Sequence, residues 1–87
     1  MRKTPKVRLR FIDKKGDHGC HRGHKVGDCY DFDTERGNIC PMLQHVAFPA
    51  IDILRYGGIP PRDRNGQHTL CCPDVDVLMV VRLETDA

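Results

Sequence analysis

The sequence predicts a small α+β domain of the order β-β-α-β-β, with one bent helix packed across an antiparallel sheet. Three observations carry this expectation. Between residues 38 and 58, Leu43, Val46, Ala47, Ala50, Ile51 and Leu54 recur at helical spacing. Residues 6–12 alternate, with Val7, Leu9 and Phe11 on one face and Lys6, Arg8 and Arg10 on the other. Residues 75–83 are apolar on both faces, as a strand deep in a sheet should be.

Taken in order, residues 6–12 form the first strand, and their basic residues mark it as a sheet edge defended against further pairing. Residues 14–27 follow as a loop punctuated by Gly16, Gly19, Gly23 and Gly27. Val26, Tyr30 and Phe32 share a parity and predict a second strand, with Cys29 on its opposite face and a turn over residues 33–37. The helix then begins at Pro41, a first-turn position where a missing N–H costs nothing, and stops at Gly57-Gly58. Pro49 should bend it without breaking the apolar stripe. Pro60-Pro61 and residues 62–66 make a polar loop. Residues 69–72 are the third strand, Pro73-Asp74 turns it, and residues 75–83 are the fourth.

Eighty-seven residues suffice for a single domain spanning 1–87, with residues 1–5 expected to be flexible. Without Trp and with few aromatics the core is thin, so a metal site or a homo-oligomer interface would help to stabilise it. The formal charge of +2 conceals a basic first fifteen residues and an acidic remainder. No aromatic platform alternates with those cations, which disfavours a nucleic-acid surface. No apolar run is long enough for a signal peptide or a membrane span, so the chain reads as cytoplasmic with no membrane association. Five cysteines, an odd number, in a reducing compartment point to thiol ligands or thiol chemistry rather than a disulfide framework.

Cys40 stands at the helix N-cap, where the helix field and the unpaired amides of the first turn favour a thiolate. His18, Cys20, His21 and His24 crowd the first loop, and Cys71-Cys72 closes the third strand. If these segments share one end of the sheet, Cys20, His24, Cys40 and one of Cys71 or Cys72 surround a single point. Three thiolates and an imidazole suit zinc or an iron–sulfur cluster. No Cys-x-x-Cys pair is present, but Cys-Pro occurs twice, at Cys40-Pro41 and Cys72-Pro73, and tilts the expectation toward iron–sulfur. His24 would serve as fourth ligand or as a neighbour supporting the ligands, with His21 able to replace it.

Adjacent strand residues face opposite ways, so only one of Cys71 and Cys72 should join such a site. Cys29 reads as a packed strand residue, His18, His21 and His68 as solvated, and His45 as a surface imidazole. Asp28 reads as a turn residue, and Tyr56 as packing over the helix end with no catalytic role.

Cys20-His21-Arg22-Gly23-His24-Lys25-Val26-Gly27-Asp28, Ile39-Cys40-Pro41, Leu54-Arg55-Tyr56-Gly57-Gly58 and Cys72-Pro73-Asp74 resemble the signature blocks of a family of very small, largely uncharacterised prokaryotic proteins. The resemblance covers nearly the whole chain. It implies Cys20, His24, Cys40 and Cys72 as the site, leaves Cys29, Cys71, His18 and His21 outside it, and implies no particular reaction. Residues 62–67 depart from the family by being more polar.

Two other functions fit the sequence. One is a metal-free cysteine enzyme with Cys40 as nucleophile, His24 as base and Arg55 or Lys25 holding an anionic substrate. The other is an interaction module whose basic first strand contacts nucleic acid or an acidic protein partner, while the partner of the metal or enzyme readings is an unidentified protein or small molecule.

Overall fold

The computed structural model describes residues 5–85; most of the segment expected to be flexible, residues 1–4, lies outside them. The chain runs β1 (Val7–Lys15), β2 (Cys29–Asp31), α1 (Phe32–Glu35), a 3₁₀ turn (Arg36–Asn38), α2 (Pro41–Arg55), β3 (His68–Cys71) and β4 (Leu78–Thr85). The strands form one antiparallel sheet in the order β2-β1-β4-β3. This is the expected α+β architecture, with two helices rather than one.

α2 has the predicted limits. Cys40 is its N-cap and Pro41 opens it. At the other end Gly57 adopts φ +83°, the Gly58 N–H reaches the Ile53 carbonyl at 2.8 Å, and the Gly57 N–H reaches that of Leu54 at 3.2 Å. This is the pair of bonds that ends a helix on a left-handed glycine. Pro49 lies inside an unbroken run of helix, on its exposed side. Leu43, Ala47 and Ile51, each four residues apart, are fully buried, while Val46, Ala50 and Leu54 flank them half-buried. Burial of Leu43 and Ile51 stabilises the fold by about 1.5–3 kcal/mol each.

The stripe packs on the sheet face made by Val7, Leu9 and Phe11 of β1 and Met79, Val81 and Leu83 of β4. β4 is an inner strand, as its two apolar faces imply. β1 is also inner, bonded to β2 on one side and β4 on the other, which corrects its reading as an edge. Its basic residues serve the uncovered face instead. There Arg10 stands directly opposite Arg82, and Glu84 accepts from Arg10 Nε at 3.0 Å and from Arg82 Nη2 at 2.7 Å. The carboxylate offsets two like charges that repel across the strands.

The second strand is shorter than its parity suggests. Val26 is 55% exposed, and Phe32 is buried as the first residue of α1. The Asp31 carboxylate accepts from the Asp33 and Thr34 N–H groups at 2.8 and 3.3 Å, and the Asp31 N–H donates back to Glu35 at 3.0 Å. Reciprocal capping of this kind starts a helix where alternation alone would continue a strand.

Two features bring the loop of residues 16–28 to one end of the sheet. Ile12 is an extra residue in β1, at a register shift between Phe11 and Asp13. Beside it the Phe11 N–H donates to Asp28 and the Phe11 carbonyl accepts from Gly27, both at 2.8 Å. At the other end of the loop Gly16 has φ +117°, and a Cβ there would fall 2.4 Å from the Asp76 carbonyl oxygen. The loop therefore lies directly against the β3–β4 turn, and only glycine permits that approach.

A candidate thiol site at the start of the long helix

Three segments distant in sequence meet where α2 begins. The Gly23 N–H closes a turn onto the Cys20 carbonyl at 2.9 Å, putting His21 and Arg22 at its tip. Arg22 Nη2 donates to the Gly37 carbonyl at 3.0 Å and ties the turn to the chain entering α2. His21 Nε2 then lies 3.8 Å from Cys40 Sγ, and His21 Nδ1 lies 3.4 Å from Asp74 Oδ2 in the β3–β4 turn. Asp74 is held in turn through Oδ1, which accepts from the Asp76 and Val77 N–H groups at 2.9 and 3.4 Å. The Asp76 N–H first, with smaller help from Val77 and His21, keeps the Asp74 carboxyl below the usual carboxylate range despite partial desolvation.

Sulfur, imidazole and carboxylate thus stand in series. An Nδ1–H directed at Asp74 leaves Nε2 as an acceptor toward the thiol, the order a cysteine nucleophile needs. Cys40 is 4% exposed and His21 forms the solvent side of the pair.

His24 reaches the backbone of Cys40. It is buried, stacks on Phe11 with ring centroids 4.6 Å apart, and meets Tyr30 edge-on at 5.3 Å. Its Nε2 accepts the Cys40 N–H at 3.1 Å, so its proton is on Nδ1. Burial first of all, with the nearby Arg22 and His21 adding to it and Asp28 opposing, lowers its pKa and keeps it neutral. A metal on this imidazole would have to be taken by Nδ1. The ring nitrogen that comes within 3.8 Å of Cys40 Sγ belongs to His21.

The remaining sulfurs separate by sheet face. Cys72 is buried, and its Sγ accepts the Met79 N–H at 3.2 Å and approaches the Val77 carbonyl at 3.4 Å. Cys71, paired with Val80, is exposed, and Cys29, paired with Arg10, is half-buried, both on the uncovered face. Cys20 is half-buried, packs against the core that contains Cys40, and lines a cavity of about 300 Å³ with Lys14, His24, Lys25 and Val26. Among the described residues no three His, Cys, Asp or Glu side chains are gathered as a metal ion requires.

Of the two cations expected to hold an anionic substrate, Lys25 borders that cavity. Arg55 ends α2, about 20 Å from Cys40 at the rise of a helix, and pairs with Asp33 at 3.7 Å and Asp52 at 3.9 Å. Asp28 is the turn residue expected, its carboxylate accepting the Lys25 N–H at 2.9 Å. No family model matches the chain, and no curated protein or solved structure matches it. Among the described residues no helix is long and apolar enough to cross a membrane.

Proposed function

We propose that this protein is a thiol-dependent enzyme in which Cys40 is the nucleophile, His21 its base and Asp74 the group that orients His21. The observation carrying this reading is the series Cys40 Sγ, His21 Nε2, His21 Nδ1, Asp74 Oδ2, at 3.8 and 3.4 Å. His21 removes the proton from Cys40 as its sulfur attacks, and the imidazolium so formed is stabilised by Asp74. The N-terminus of α2 adds a favourable field at the sulfur.

Cys72 supplies an internal control, because it is nearly as buried as Cys40 but its sulfur is held by the Met79 N–H and the Val77 carbonyl. On limited iodoacetamide treatment at pH 7, mapped by peptide mass, Cys40 should label well ahead of Cys72. His21→Asn should slow Cys40 by about tenfold or more, within the range of general-base effects, and leave exposed Cys71 unchanged. Equal labelling of Cys40 and Cys72, unaffected by His21→Asn, contradicts the proposal.

A metal centre is the second reading, favoured by the meeting of the segments that carry Cys20, Cys40 and Cys72. The N–H that Met79 directs at Cys72 Sγ is the kind of bond that tunes cluster sulfurs. A bound zinc ion or iron–sulfur cluster would be held by the three cysteines and would supply Lewis-acid or electron-transfer chemistry. His24 would stand behind Cys40 rather than on the metal. Metal analysis and visible absorption of protein purified without oxygen decide it. Stoichiometric iron or zinc lost in Cys20→Ser supports the reading, and metal-free, folded protein contradicts it.

A further inference from the structure

We infer that the reaction at Cys40 is thiol–disulfide exchange, with Cys20 as the resolving thiol and a small disulfide bearing carboxylates as the oxidising substrate. The inference rests on Cys40 being the nucleophile and deepens that reading in three steps.

The backbone around Cys40 favours one chemistry over another. Acyl transfer develops charge on an oxygen and needs amide N–H donors beside the nucleophile. Here the two amides nearest the sulfur along the chain cannot serve, because the Cys40 N–H is given to His24 Nε2 at 3.1 Å and Pro41 has none, which leaves only first-turn amides further along α2. Exchange between sulfurs places its developing charge on sulfur and does without such donors.

Of the other four cysteine sulfurs, that of Cys20 is the one free to follow Cys40. Cys72 is held in the β3–β4 turn by the Met79 N–H and the Val77 carbonyl. Cys29 and Cys71 lie on the far face of the sheet. Cys20 alone shares the covered side with Cys40 without such ties to its sulfur among the described residues. It also precedes His21, the residue that touches Cys40. Its loop contains no regular structure from residue 16 to 28 and has Gly19 and Gly23 on either side of the turn, where a Cβ would meet nothing within 4 Å. A shift of this turn can carry Cys20 toward Cys40.

The cavity beside Cys20 holds about 300 Å³, enough for part of a small peptide-like molecule, and Lys14 and Lys25 both line it. Two ammonium groups favour carboxylates in the molecule that enters.

The Cys40 thiolate attacks one sulfur of the substrate disulfide, forming a Cys40 mixed disulfide and releasing one substrate thiolate. The Cys20 thiolate then attacks Cys40 Sγ, forming a Cys20–Cys40 disulfide and releasing the second. The protein dithiol loses two electrons and the substrate disulfide gains them, with the two thiol protons passing to the released thiolates.

The experiment uses reduced full-length protein and oxidised glutathione, with cystamine as the cationic counterpart. Peptide mapping should find a Cys20–Cys40 disulfide and two thiols released per chain. Cys20→Ser should stop at a Cys40 mixed disulfide with one thiol released. Charge reversal at Lys14 and Lys25 should slow oxidised glutathione at least about fivefold more than cystamine. The inference is overturned if wild-type protein, with no variant involved, stalls at the Cys40 mixed disulfide or joins Cys40 to Cys72. Equal slowing of both disulfides overturns the substrate class, and a stoichiometric burst of p-nitrophenol from p-nitrophenyl acetate at Cys40 overturns the choice of exchange over acyl transfer. If Cys40 reacts with neither disulfide nor iodoacetamide, the assignment of the nucleophile itself has failed.

Discussion

The Cys40 N–H donates to His24 Nε2 at 3.1 Å, inside a ring stack with Phe11 and Tyr30. One buried imidazole therefore fixes the start of α2 and the position of the thiol above it. His24→Ala removes a core ring and leaves a buried N–H without its acceptor. The two losses together should cost about 2–4 kcal/mol. For a chain of this size the melting temperature should fall by about 10 °C or more, measured by circular dichroism.

The burial of this imidazole also makes stability depend on pH. Because burial lowers the His24 pKa, the unfolded chain binds a proton more readily than the folded one. The contribution of neutral His24 is complete above the ordinary histidine pKa of about 6.5 and is lost as pH falls toward the lower folded value. Urea midpoints should drop between pH 7 and 5 in wild type and drop less in His24→Ala. Parallel curves for the two proteins contradict the assignment.

In the proposed mechanism Asp74 and His21 act on Cys40 through one path, and their effects should then not add. Asp74→Asn slows Cys40 alkylation, and the double variant with His21→Asn should be no slower than His21→Asn alone. Multiplicative losses would show that Asp74 works by another route, such as its bonds to the Asp76 and Val77 amides.

Gly16→Ala tests how the site is assembled. The added methyl meets the Asp76 carbonyl at 2.4 Å, and the backbone is at φ +117°. The loop must move away from the β3–β4 turn, separating His21 from Asp74. Both stability and Cys40 reactivity should fall, whereas Gly19→Ala, where nothing lies within 4 Å, should leave Cys40 reactivity unchanged.

On the opposite face, Glu84→Gln leaves Arg10 and Arg82 opposed across two strands. Their contact holds the Glu84 carboxyl below its ordinary pKa, the hydrogen bond from Arg10 contributing most. The stabilisation exists above the ordinary glutamate pKa of about 4.3 and is lost as pH falls through the lower folded value. The variant should have a lower urea midpoint than wild type at pH 7 and low salt. The gap should narrow in 1 M salt and at pH 3.

Local signals were readable in the sequence, and contacts between distant segments were not. α2 was legible from Pro41 to Gly57-Gly58 because stripe, start and stop all coincide there. β4 was legible as an inner strand from its two apolar faces. α1 was hidden because Phe32 keeps the parity of Tyr30, and the reciprocal capping between Asp31 and Glu35 was the overlooked sign. β1 looked like an edge because Arg8 and Arg10 suit one, but charges on an uncovered sheet face produce the same pattern. Whether Cys20, Cys40 and Cys72 act as one site is a separate matter; that the first loop, the start of α2 and the β3–β4 turn lie at one end of the sheet was anticipated from topology. The partner of Cys40 was not: His21 and His24 are three residues apart, and only the turn closed by Gly23 onto Cys20 decides which of them reaches the sulfur and which the amide.

The account depends most on His21 standing between Cys40 and Asp74. A nuclear Overhauser spectrum of the reduced protein tests it directly, because Nε2 lies 3.8 Å from Sγ and the neighbouring ring protons must then be close to the Cys40 β-protons. Cross-peaks from the His21 ring to Cys40 and Asp74 are predicted. Their absence from a folded sample, with His24 showing its cross-peaks to Phe11 and Tyr30, would contradict the proposal.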